Sequence, residues 1–246
     1  MTIYEVQNAV SEKKICVLIP TYNNEKTLKR VITGVLNYTQ NIIVVNDGST
    51  DSTQFILNEY PQISVISLPE NKGKGNALKL GFRRAQESGF DFAITIDSDG
   101  QHYPDDIPVF VEALLEEKED VLLIGNRNMS QDGIPKKSSF GNNFSNFWFW
   151  FETGIKLEDT QSGYRLYPLN QIPKKYFTPK FEFEIEIIVR TAWKKYSGKK
   201  CSGKSPLRSC RKSVAFPAFQ RFYTDQYLKY HSGFHHFSLH QTEKFH

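Results

Sequence analysis

With 246 residues, 39% of them hydrophobic, the chain is long enough for one well-packed core and argues for a single domain. Its three cysteines, Cys16, Cys201 and Cys210, form no C-x-x-C pair and no disulfide framework, so a reducing cytoplasm is the default. No signal peptide is visible and no run approaches the roughly 20 apolar residues of a spanning helix, which leaves peripheral contact, or contact through a partner, as the route to a membrane.

Ile15-Cys16-Val17-Leu18-Ile19 is a short β-branched run closed by Pro20 and predicts a strand buried on both faces. Leu28, Val31, Ile32, Val35 and Leu36 then take helical spacing, with Asn23 or Asn24 as the cap. Ile42-Ile43-Val44-Val45 predicts a second strand, and a helix should start within residues 49–52 and stop at Pro61. A third strand is expected over residues 63–66 and a helix over 73–88. A strand follows at Phe92-Ala93-Ile94-Thr95-Ile96, then a helix over 107–115. This alternation predicts an α/β domain with a mainly parallel sheet flanked by helices. Ligands of such sheets sit outside the carboxyl ends of the strands, where strand order reverses. Three strand ends carry polar runs, at residues 21–25, 46–51 and 97–102, and should meet in one crevice.

The most informative of these is Asp97-Ser98-Asp99-Gly100-Gln101-His102. Two carboxylates two residues apart offer a hard cation anionic oxygens and leave coordination positions for phosphate, which suits Mg²⁺ or Mn²⁺ carrying a nucleotide diphosphate. The same residues also suit a plain turn. Asn71-Lys72-Gly73-Lys74-Gly75 is glycine-rich and basic at a helix start, a place that favours an anion.

Ile19-Pro20-Thr21-Tyr22-Asn23, residues 45–51, residues 71–77, residues 97–102, Gly125-Asn126-Arg127 and Asp159-Thr160-Gln161-Ser162-Gly163-Tyr164-Arg165 occur in the order seen in family 2 glycosyltransferases. The chain most resembles their dolichyl-phosphate mannose synthase-like branch, over about residues 13–195. The resemblance implies a Rossmann-like nucleotide-diphospho-sugar transferase (GT-A) fold and a metal-dependent inverting enzyme. It would move a hexose from a UDP- or GDP-hexose to a polyprenyl phosphate or another lipid-linked or envelope glycan acceptor, at the inner face of the cytoplasmic membrane. It places Pro20, Thr21, Tyr22, Glu25, Asp47, Lys74, Asp97 and Ser98 at the donor, and Asp97, Asp99 and Gln101 on the metal. Asp159, Asp99 and Arg127 take catalytic roles, with Asp159 as an acceptor-side base or a positioning group. Arg127 and Arg165 are suited to phosphate oxygens. Lys136, Lys137 and Ser138 lie where this branch binds its lipid phosphate, a place that also suits a solvated basic loop. Asn46 stands where an acidic residue is common, which leaves the base open. The alternative function is an impaired nucleotide-sugar- or anion-binding protein.

Phe140, Phe144, Phe147, Trp148, Phe149, Trp150 and Phe151 form an aromatic cluster that fits either core or bilayer surface. Residues 181–187 should start a helix whose buried face is Ile187, Ile188, Val189, Ala192 and Trp193. Residues 195–246 then carry ten Lys or Arg and two acids. That net +8, against +4 for the whole chain, leaves −4 for the rest. Such a tail suits nucleic acid or anionic lipid. We read it instead as a frameshift product, because back-translating residues 222–245 one nucleotide forward permits a long apolar stretch like the membrane anchor of bacterial members of the branch. On this reading residues 1–195 are the catalytic domain, residues 196–246 are unselected and disordered, and no nucleic acid is bound.

Overall fold

The computed structural model describes residues 1–117, 119–125, 136–157, 159–173, 183–196 and 207–209, with the backbone alone at 136–144, 194–196 and 207–209. The first strand, β1 (Ile15–Thr21), is buried throughout, and its side chains alternate between two cores. Ile15, Val17 and Ile19 enter one; Cys16 and Leu18 enter the other. The strands β2 (Ile42–Asn46) and β4 (Phe92–Thr95) are also buried throughout, as expected of strands covered on both faces, while β3 (Ser64–Ser67) is half-buried. With β5 (Leu122–Ile124), β6 (Arg165–Pro168) and β7 (Leu207–Ser209) they form one seven-stranded sheet in the order β3-β2-β1-β4-β6-β5-β7.

One face of this sheet is covered by α1 (Ile3–Glu12), α2 (Leu28–Leu36) and α5 (Ile107–Leu115), whose Val6, Val31, Ile32 and Val111 join the first core. On the other, α4 (Lys74–Glu87), α6 (Lys136–Thr153) and α7 (Phe183–Tyr196) supply Ala77, Phe82, Phe149, Ile187, Ile188 and Ala192. The short α3 (Thr53–Asn58) follows β2. Among the described residues no helix is long and apolar enough to cross a membrane.

The expected α/β order holds, with three differences. The first strand does not open the structure, because α1 precedes it, started by a capping box in which Thr2 and Glu5 exchange side-chain-to-backbone hydrogen bonds. Helix α2 begins at Leu28 with no side-chain cap. Asn24 contributes its carbonyl to the Leu28 amide at 3.0 Å and spends its side chain on Ser98. The sheet is mainly parallel, but β6 runs antiparallel to both β4 and β5. Of the tail expected to be unfolded, Leu207–Ser209 forms a backbone strand parallel to β5; residues 197–206 and 210–246 lie outside the described residues.

Strand order reverses between β1 and β4. β2 and β3 lie to one side of β1 and β4 to the other, so the loops after β1 and β4 diverge and open a crevice at the carboxyl edge.

Candidate active site

That crevice is a cleft of about 310 Å³. Pro20, Thr21, Tyr22 and Asn24 enter it from the end of β1, Asp47 from β2, Asn71, Lys74 and Ala77 from the start of α4, and Asp97, Ser98 and Asp99 from β4. The three polar runs therefore converge as expected, joined by the glycine-rich segment before α4. Glu25, Gln101 and Asp159 lie outside this lining.

At its floor, Lys74 Nζ lies 2.7 and 2.9 Å from the two carboxylate oxygens of Asp97 and 3.2 Å from Glu184 Oε2 at the head of α7. Burial works against the ammonium more than any other single influence, yet Glu184 and Asp97 together outweigh it and hold its pKa above the ordinary lysine value. Gly163 closes one side of this pair: a Cβ there would stand 2.5 Å from Asp97 Oδ2 and 2.9 Å from Lys74 Nζ. The ring of His102 packs on Tyr164, with Nε2 4.0 Å from Asp97 Oδ2.

Other expected donor residues serve the walls. Asp47 is buried, and its two oxygens accept from the Lys72 and Gly73 amides at 2.9 and 2.8 Å, which fixes the segment leading into α4. Ser98 is a buried staple between the loops: its hydroxyl donates to the Pro20 carbonyl and accepts from Asn24, while its carbonyl accepts from Thr27. Glu25 accepts from the Ser52 amide, and the Glu25 amide donates to Asp51, so this pair ties the loops after β1 and β2 together. Tyr22 is exposed on the rim, whereas Thr21 is buried and its hydroxyl has no hydrogen-bond partner among the described residues. Asn46 accepts from Ser49 and donates to Gln54, organising the turn after β2.

Asp99 is exposed and accepts from the Gln101 amide at 2.9 Å, a local turn completed by Gly100 at φ +78°. The turn and ligand readings of this motif are thus compatible, because the turn uses one oxygen of Asp99.

Asp159 is buried and accepts from the Gln161 amide in a similar turn. Arg165, expected to hold phosphate, is a correction. It is fully buried and donates to the carbonyls of Ser162, Thr160 and Glu184 and to the Tyr167 hydroxyl, so its fork is committed within the protein. It pins the Asp159 loop to the head of α7. Asn146 on α6 holds the same loop by accepting from the Thr160 amide and hydroxyl. Arg127 lies outside the described residues, and Lys136, Lys137 and Ser138 are described by backbone alone. Of the aromatic cluster, Phe149 is buried while Phe147, Trp150 and Phe151 are about half exposed, so the core and surface readings divide between faces of α6.

The residue that sequence reasoning missed is Glu184. Its signal was the run of acids at 182, 184 and 186 at a helix start, which reads as favourable charge at a helix N-terminus and gave no hint of a lysine partner from α4.

The donor set fits an oxygen-seeking divalent cation. Asp97 and Asp99 present hard anionic oxygens in a polar cleft, and Asp97 already carries a cation in the form of the Lys74 ammonium. Among the described residues no group of three or more His, Cys, Asp or Glu is placed to hold a metal ion by itself.

The α/β sheet with a charged crevice at its topological switch has GT-A architecture. The family model described as glycosyl transferase family 2 matches residues 16–172. A UDP-N-acetylglucosamine–dolichyl-phosphate N-acetylglucosaminyltransferase of Methanococcus voltae is 32% identical over 178 residues, covering 64% of this chain and 70% of that protein. An undecaprenyl-phosphate mannosyltransferase of Micrococcus luteus is 27% identical over 192 residues, covering 73% and 78%. Among solved structures, glucosyl-3-phosphoglycerate synthase of Mycobacterium tuberculosis, crystallised with Mn²⁺, UDP-glucose and phosphoglyceric acid, shares the fold with a TM-score of 0.61 and 24% identity, over 76% of this chain and 68% of that one. The chain belongs to glycosyl transferase family 2 and is a glycosyltransferase.

Proposed function

We propose that the enzyme transfers a hexose-type sugar from a UDP-sugar to a polyprenyl phosphate, with inversion at the anomeric carbon and with Mg²⁺ or Mn²⁺. The observation that carries this reading is the cleft lined by Asp97, Asp99 and Lys74, in which Asp97 pairs with Lys74 at the start of α4. The acceptor class is supported by the polyprenyl-phosphate acceptors in the names of the two relatives, and uridine by the donor named for the Methanococcus protein.

The reaction is a single displacement. An acceptor phosphate oxygen bonds to the anomeric carbon as the bond from that carbon to the diphosphate breaks, releasing UDP. Asp97 and Asp99, with the Gln101 amide oxygen, would hold the divalent ion, which supplies charge neutralisation for the leaving diphosphate. Lys74 and the positive end of α4 meet the same diphosphate. Asp47 keeps that helix start in register with the floor of the cleft. The acceptor phosphate brings its own anionic oxygen, so little deprotonation is needed. Asp159 then orders the acceptor-side loop through its turn. The exposed rings of Phe147, Trp150 and Phe151 suit peripheral contact with the inner face of the cytoplasmic membrane, where a lipid acceptor is presented.

Calorimetric titration of the chain with UDP- and GDP-hexoses, with and without Mn²⁺, tests the donor assignment. Mn²⁺-dependent binding of a UDP-sugar in preference to its GDP counterpart is expected; preference for GDP would transfer the assignment to guanosine, and no binding of either would refute it.

A further inference from the structure

Lys74 stands on both oxygens of the carboxylate that the donor reading gives to the divalent ion. Its ammonium is 2.7 and 2.9 Å from Asp97, so a second cation cannot share that carboxylate without strong repulsion. It also has a second anchor, because Glu184 Oε2 is 3.2 Å away on a largely buried side chain. Glu184 is held in place, since its carbonyl accepts at 2.7 Å from the fully buried Arg165. Gly163 stands against the pair, and its lack of a Cβ leaves room for the ends of both side chains. A lysine leaving Asp97 would therefore keep one carboxylate partner, and a diphosphate in the cleft would supply others.

We propose that Lys74 occupies the cation position at Asp97 in the nucleotide-free enzyme, and that the metal enters only with the nucleotide, whose diphosphate and Glu184 take over the ammonium. This rests on the donor reading above. It makes metal and nucleotide binding reciprocal: each raises the affinity for the other by one factor. It also gives the lysine a purpose in the free enzyme, where it keeps Asp97 neutralised and excludes divalent ions that arrive without a donor.

The test is direct Mn²⁺ titration of the full chain by calorimetry, alone and saturated with UDP. Lys74→Met and Lys74→Gln should raise nucleotide-free Mn²⁺ affinity by about tenfold and shrink the coupling to UDP by a similar factor. Lys74→Arg, which keeps the charge, should leave nucleotide-free affinity low. Lys72→Met removes a neighbouring charge that pairs with Glu70 and serves as the control for long-range electrostatics; it should change little. If UDP binds but both neutral variants leave nucleotide-free Mn²⁺ affinity unchanged, or Lys72→Met raises it equally, the lysine does not hold the metal position and the donor reading stands without it. If the wild-type chain binds no UDP with or without Mn²⁺, both readings fall.

Discussion

Asp97 and Asp47 give the same signal in the sequence, a carboxylate at the end of a buried strand, yet the fold gives them different work. Asp47 spans two backbone amides and shapes the entry to α4, whereas Asp97 faces a lysine in the open cleft. Asp97→Asn should therefore lower metal-dependent UDP-sugar binding by roughly 100-fold, at least the loss seen when a metal site's supporting shell is cut, without moving the unfolding midpoint much. Calorimetry beside a denaturant titration separates the two effects. Gly163→Ala should also impair binding more than folding, because the atoms its Cβ meets are the ends of the Asp97 and Lys74 side chains. Arg165 behaves in the opposite way. Arg165→Ala strands two buried carbonyls, a part-buried one and the Tyr167 hydroxyl, and should cost about 3 kcal/mol or more in urea unfolding. The strand-end rule made the position of Asp97 legible. It could not separate a phosphate-binding arginine from a buried pin, because a fork suited to phosphate is equally suited to carbonyls, and only burial distinguishes them.

At the scale of elements, α4 sets the cleft floor by lying unusually close to β1. A Cβ on Gly81 would sit 2.2 Å from Leu18 Cδ1, so Gly81→Ala should overpack this contact and destabilise the chain by about 1–3 kcal/mol, read as a lower urea midpoint. Because α4 carries Lys74, a shift there should also weaken nucleotide binding. The parallel strands were legible because their apolar runs are continuous and helices separate them. Strand β6 was not: Arg165-Leu166-Tyr167-Pro168 places a buried arginine and a proline in a strand, and its reversed direction comes from pairing with β4 and β5 rather than from any local pattern. Helix α1 was announced by the Thr2 and Glu5 capping box, a signal readable in the sequence but overlooked.

For the whole molecule, stability should depend on pH mainly on the alkaline side. Burial pushes the Cys16 thiol up to about 12, above its value of 9.0 in an unfolded chain, so the native state keeps a proton that the unfolded state loses. The resulting stability is fully present below pH 9.0 and is lost toward pH 12 by about 1.4 kcal/mol per unit. Urea midpoints measured from pH 7 to 11 should be flat and then fall, and Cys16→Ala should make the fall shallower, the rest coming from groups such as Tyr167 whose pKa burial also raises. The charge asymmetry of the chain was legible from composition, but the sheet edge at Leu207–Ser209 was not, because a three-residue strand in a basic stretch carries no pattern of its own. We propose that residues 196–246 take no part in donor binding and arise by frameshift; an unchanged UDP affinity in a chain ending at Lys195, and an apolar alternative frame in the gene, are the expected results. The central claim concerns transfer itself. The most direct measurement incubates the full chain with radiolabelled UDP-sugar, a polyprenyl phosphate in detergent and Mn²⁺, and counts label extracted with the lipid. The account predicts lipid-linked sugar that disappears with EDTA and in Asp97→Asn; label that stays wholly with the nucleotide, or transfer indifferent to both changes, would contradict it.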